Sequence, residues 1–356
     1  MKRIIPVLIL LCIMLSGCQS SSDTLIYAGE HTSPIVINDT NDVTLVLNNV
    51  ALTTEESCIS IPNAKSVTIE LIGDCSATSK ESFLVTSADV TFTGEGTLSA
   101  DTKDSVIVAE KKVTLETATL NLSSKKNVIS CGSFTQKSGS LNITDGNDGI
   151  HADSITMEDG VMEITVEDDA LHAESSALIL YGKVTLNAHE GIEAEEVKIR
   201  RGEISIFAED DGINATGNGV LDITGGYLWI SSNGDGIDSN GTIKINGGNI
   251  TLYSANDADA EAFDYKTDAV IHNGVFAATG SAASRNFSEN SEQRAFRFYL
   301  DAKKGDIVEI YHNGEMVTFV EAYQDFSCLI VSRPEFTDQS EFSLTLNYQP
   351  VEFEMK

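Results

Sequence analysis

The chain has 356 residues, with 23 Lys and Arg against 54 Asp and Glu and a formal net charge of −31. That balance excludes nucleic acid and anionic lipid surfaces as partners by simple repulsion, and favours cations or ligands bridged by cations. With 41% hydrophobic residues the chain is too apolar for a disordered acidic tail, and a repeat fold can extend past ordinary domain size as one body.

In chain order, Met1-Lys2-Arg3 precedes an apolar run from Ile4 to Leu15 that is too short to span a bilayer, so residues 1–17 read as a lipoprotein signal peptide. The run closes on Leu15-Ser16-Gly17-Cys18, which resembles the bacterial lipobox. The expectation is an extracytoplasmic, cell-surface protein, lipid-anchored at Cys18 and tethered by residues 18–24, with that lipid as its sole membrane attachment. Cys12 leaves with the signal. Cys58, Cys75, Cys131 and Cys328 show no metal-type spacing and read as small thiols in a core, although an exported chain permits disulfides.

The body of the chain repeats. Asp148-Gly149-Ile150-His151-Ala152 recurs as Asp169-Ala170-Leu171-His172-Ala173, Glu190-Gly191-Ile192-Glu193-Ala194, Asp211-Gly212-Ile213-Asn214-Ala215 and Asp235-Gly236-Ile237-Asp238-Ser239, at intervals of 21, 21, 21 and 24 residues. Weaker copies begin at Ser57, Ser82, Ser105 and Asn127, and one more lies at Glu261-Ala262-Phe263-Asp264. Between copies run two short alternating apolar segments split by a turn, as in Leu221 to Ile230, which is strand and turn chemistry. The expected fold is all-β: a right-handed parallel β-helix over residues 25–280, with about ten coils of 21–26 residues. Residues 281–356 are expected to form a linker and a small β module, with a turn at His312-Asn313-Gly314, that caps the open end of the stack.

Stacking converts the period into a column. Asp148, Asp169, Glu190, Asp211, Asp235 and Glu261 should lie above one another roughly 4.8 Å apart, too close for all to ionise unaided. Asp168, Asp210, Asp238 and Asp264 crowd the same edge, together with Asp153, Glu174, Glu193 and Glu195. A hard divalent cation relieves such crowding, so Asp148, Asp168, Asp169, Glu190, Asp210, Asp211, Asp235, Asp238 and Asp264 are expected calcium ligands. The competing reading is a solvated face, or a ladder of turn-forming acids capping backbone amides. Early coils place Ser or Asn where later ones place acids, so the fold needs only a small polar residue there and the charge has another purpose. His151 and His172, one coil apart and with His189 nearby, read as outward-facing neighbours of this ladder rather than as a site for a softer metal.

Strand alternation with Leu228 and Ile230 inside turns Tyr227 and Trp229 outward, and Phe207 and Tyr253 with them, as a surface for stacking sugar rings; cover beneath the C-terminal module is the alternative. Lys198, Arg200, Arg201 and Lys244 form the basic cluster of the acidic half, either paired with Asp222 and Glu158 or clamping a carboxylated ligand.

With its exported N-terminus, the opening Asp42 to Val50 stretch, the Asp-Gly-Ile coils, Ala262-Phe263-Asp264-Tyr265 and the terminal β module, the chain resembles the bacterial, clostridial-type carbohydrate-binding β-helix proteins, which are similar in fold to pectate lyases. The resemblance implies binding of acidic plant polysaccharide, and calcium at Asp148, Asp211 and Asp235, with Asp169 and Glu190 departing from the strict motif. The leading expectation is a monomeric, non-catalytic surface protein that binds pectin-like polysaccharide through calcium and does not bind nucleic acid. A calcium-dependent polysaccharide lyase and an adhesin with structural calcium are the alternatives; for a lyase, Lys198, Arg200 or Lys244 would supply the base.

Overall fold

A computed structural model describes residues 23–356, and the signal segment and Cys18 lie outside the described residues. The described chain is all strand and turn, built as a β-solenoid of about 12 turns. The third motif residue stands in one parallel register through the stack: Ile59 beside Leu84, then Ile107, Ile129, Ile150, Leu171, Ile192, Ile213 and Ile237. Two turns exceed the ten read from the sequence, because each end adds one without the acidic signature. Ile35–Val36 pairs with Ile59–Ile61 at the start, and the backbone N–H of Arg285 follows Glu261 at the other end.

Each coil has three faces. On the coil that carries Asp211 these are the second half of Glu190–Ile199, from Glu196 on, then Glu203–Ala208 and the start of Ile213–Ser232. Burial alternates along them, so Ile204, Ile206 and Ala208 point in while Glu203 and Phe207 point out. The inward residues fuse into one apolar column through the whole stack. Cys58, Cys75 and Cys328 are free and buried in it, and Cys131 is free and partly buried.

The second motif residue is small because neighbouring coils touch there. A Cβ on Gly212 would meet the Gly236 carbonyl oxygen at 2.6 Å, and one on Gly236 would meet that of Ala262 at 2.5 Å. A second small-residue column turns the corner between the first two faces. Gly160, Gly182, Gly202 and Gly226 all have positive φ, between 92° and 105°, where a side chain would be strained.

The end of the stack is closed by the C-terminal segment. Phe326–Ser332 pairs antiparallel with the last solenoid strand, Val275–Gly280, and with Ala295–Ala302. A separate four-stranded sheet, ordered Glu315–Glu321, Ile307–His312, Phe342–Leu346 and Gln349–Val351, completes the module. Its first hairpin turns at Asn313 and Gly314, with φ of 51° and 85°, the mirror-image turn that suits strand twist. The stretch after Ser281, read from sequence as a linker, instead lies against the last coil. Ser288 and Gln293 donate backbone N–H groups to the carbonyls of Ala269 and Ile271.

Candidate functional site

Three columns of polar residues run side by side on the third face. One holds the motif's first residues, from Asp148 and Asp169, which are buried, through Glu190, Asp211 and Asp235, which are half-buried, to Glu261. Backbone bonds define the second: Asp168 N–H to Asn147, His189 to Asp168, Asp210 to His189 and Gly234 to Asp210. The third is the single outward residue of each three-residue strand, His151, His172, Glu193, Asn214, Asp238 and Asp264 in strict register. In earlier coils that register holds Ser60, Val85, Val108 and Ser130, so the chemistry is confined to the later coils.

The first column is partly an internal ladder. Asp211 Oδ1 accepts the Asp235 N–H at 2.7 Å, Asp235 Oδ1 accepts the Glu261 N–H at 2.6 Å, and Glu261 Oε2 accepts that of Arg285 at 2.9 Å. The carbonyls of Asp169, Asp211, Asp235 and Glu261 accept the glycine N–H of the preceding coil, so they point along the stack and the outward donors are carboxylates. Arg285 closes the column: its guanidinium contacts Asp264 and lies 3.3 Å from Glu261 Oε1. No such cation serves the rungs above among the described residues. There Asp148 and Asp169 face histidines, and Glu190 receives the Asn214 Nδ2 at 3.2 Å.

The electrostatic cost is visible in the carboxyl groups. Burial, with the negative charge of Asp169 next, pushes Glu190 up to about 7. Burial and neighbouring acids push Asp235 up to about 7 and Asp211 up to about 6, against the backbone N–H bonds that favour their ionised forms. Asp169 and Asp238 are raised for the same first reason. Oxygens of Asp235, Asp238 and Asp264 lie within 4.8 Å of one another, and the buried Asn214 Oδ1 has no hydrogen-bond partner. An all-oxygen donor set of this kind fits calcium.

The aromatic group divides. Tyr227 and Phe207 are exposed, at 66% and 37%. Tyr253, expected to face solvent, is buried, and Trp229 is half-buried, because Tyr323 of the C-terminal module packs over both, with ring centroids 5.1 Å from Trp229 and 5.8 Å from Tyr253. Their outward phase is as expected; the module then covers them, and the Gln324 amide secures the contact on Ser232 and Tyr253 carbonyls.

Of the basic cluster, Lys198 pairs with Glu196 at 2.6 Å and Arg200 with Asp222 at 2.7 Å, while Lys244 is exposed in register with Asp222. These cations belong to the first face, beside the carboxylate columns and not among them. At the far corner of that face, the glycine column floors an open groove of about 680 Å³ lined by Tyr181, Lys183, Arg200, Arg201 and Tyr227. Tyr181 and Lys183 escaped the sequence reading. The signal was present, since Tyr181 precedes Gly182 as Arg201 precedes Gly202 and Gly225 precedes Gly226.

A family model described as "Carbohydrate-binding domain-containing protein" matches residues 24–197 and 183–309, which together take in the solenoid and the start of the C-terminal module. No curated protein and no solved structure gives a significant match.

Proposed function

The chain belongs to the carbohydrate-binding domain-containing family, and from that premise we propose that it binds acidic polysaccharide of the pectin or polygalacturonate kind through calcium held on its carboxylate face. The observation that carries this reading is the stack of third-face acids Glu190, Asp211, Asp235 and Asp238, none in an ion pair with Lys or Arg among the described residues, followed by Arg285 on the one rung where the chain supplies its own cation. Asp235, Asp238 and Asp264 would hold the ion, with Asp211 one rung away, bonded to the Asp235 N–H, and the orphaned Asn214 oxygen on the residue in register with Asp238. When bound, calcium neutralises the rungs and presents a positive charge to uronate carboxylates, so an acidic chain can hold an acidic polymer that direct contact would repel. The groove between Tyr181 and Tyr227 supplies flat apolar rings for sugar faces and the Arg201 and Lys183 charges for carboxylates, on the neighbouring corner of the same coils.

Binding rather than cleavage is favoured by the placing of the bases. A lyase needs a base beside its calcium, whereas Lys198 and Arg200 are ion-paired on the adjoining face and Lys244, although exposed, lies on that same face. The proposal includes a lipid anchor at Cys18 and a monomeric protein on the cell surface, with residues 18–24 as the tether. Retention on immobilised polygalacturonate tests the reading: calcium should hold the protein on the polymer, and a chelator, or the Asp211→Asn and Asp235→Asn pair, should release it. Retention unaffected by either would reject the calcium bridge, and appearance of unsaturated-product absorbance would reject the non-catalytic reading.

A further inference from the structure

His151 and His172 are set apart from the other rungs by what surrounds them. Strict register brings their imidazoles into a stack, with centroids 4.5 Å apart and planes 10° from parallel. On one edge His151 Nδ1 lies 3.0 Å from Asp148 Oδ2, while His172 Nδ1 lies 2.7 Å from Asp169 Oδ2 and 3.0 Å from Glu193 Oε2. On the other edge both Nε2 atoms lie 3.7 Å from the same Glu174 oxygen, beyond hydrogen-bond reach. No Lys or Arg pairs with these four carboxylates among the described residues.

An imidazole Nδ1 carries at most one proton, yet His172 Nδ1 faces two carboxylates at hydrogen-bond distance. A metal ion satisfies all three at once. Ligand atoms held at about 2.0–2.2 Å around zinc sit roughly 3.4 Å apart in a tetrahedron, close to the separations here. Donor atoms of Asp148, His151 and His172 fall within 4.8 Å of one another, as do those of Asp169, His172 and Glu193. Two ring nitrogens among carboxylates are wrong for calcium, which takes oxygen, and right for the ions that prefer imidazole.

We propose that His151 and His172, with Asp148, Asp169 and Glu193, form a site for a divalent ion of the zinc, nickel or copper class, distinct from the all-oxygen rungs at Asp235, Asp238 and Asp264. The columns thereby sort cations along the solenoid axis. The third column changes from His151 and His172 through Glu193 and Asn214 to Asp238 and Asp264, so donor character hardens from nitrogen to oxygen within a few coils.

Zinc alone is the probe, titrated into the purified chain already saturated with calcium. The expected result is zinc binding that calcium does not compete away, weakened by about tenfold or more in His172→Asn and unchanged in Asp235→Asn. Melting curves in chelator establish that each variant folds; if His172→Asn does not, His151→Asn takes its place with the same expected loss. Zinc affinity equal to wild type in the folded histidine variant, or zinc displaced by calcium as readily as calcium by itself, would overturn the site.

Discussion

The carboxyl groups of Glu190 and Asp235 titrate near 7 and that of Asp211 near 6 because burial and stacked neighbours disfavour their ionised forms. Between the ordinary carboxylate range and these values the folded chain binds more protons than the unfolded one, so its stability falls as pH rises through that window and the loss is complete above about 7. In chelator the melting temperature is therefore expected to drop from pH 5 to pH 8, and calcium should flatten the drop. A melting temperature independent of pH in chelator would contradict it. Arg285 carries a related expectation. Arg285→Ala removes the guanidinium from Glu261 and Asp264, so it should lower the melting temperature at pH 8 more in chelator than in calcium. At this scale the acids from Asp148 to Asp264 were legible, because a period fixes a column. Arg285 was not, since it occupies its rung by a backbone bond to Glu261 in a stretch with no motif to mark it.

Single strands show how far alternation can be trusted. The phase of Ile213–Ser232 correctly set Tyr227 and Trp229 on the outer side, but the same outer side meets solvent at Tyr227 and Tyr323 at Trp229. That distinction depends on a loop far along the chain, which local pattern does not encode. Tyr227→Ala should weaken polysaccharide retention with little change in melting temperature. Trp229→Ala should instead lower stability by about 3–5 kcal/mol, the usual cost of truncating a packed aromatic, read as a shift in the urea midpoint. Equal effects on stability would show that the module does not rest on Trp229. Coil contacts give a further expectation. Gly212→Ala drives a methyl into Ile230 and toward the Gly236 carbonyl at 2.6 Å, and should cost about 1–3 kcal/mol. Ala170 stands at the equivalent position of its own coil, buried, so the penalty reflects local fit and not a rule of the motif.

Across the whole molecule, charge and architecture work together. A solenoid keeps each rung at a fixed distance from the next, so the acids of the repeated motif fall into columns along one face. Arg285 ends the columns, whereas Lys198, Arg200, Arg201 and Lys244 sit on the first face and its glycine-floored corner, and the C-terminal module seals the stack by turning its parallel edge into an antiparallel one. Fold class, repeat phase and the acidic half were readable from the sequence, because stacking repeats one local pattern. The covering of Trp229 and Tyr253, the groove between Tyr181 and Tyr227 and the histidine pairing of Asp148 and Asp169 emerge only when coils and module are brought together in space. If calcium and acidic polysaccharide meet on one face, as proposed, linkage requires each to change the other's affinity by the same factor. Calorimetric titration of calcium into the protein, with and without saturating oligogalacturonide, should give tighter calcium binding when the sugar is present. Identical calcium affinities in the two titrations would contradict the account.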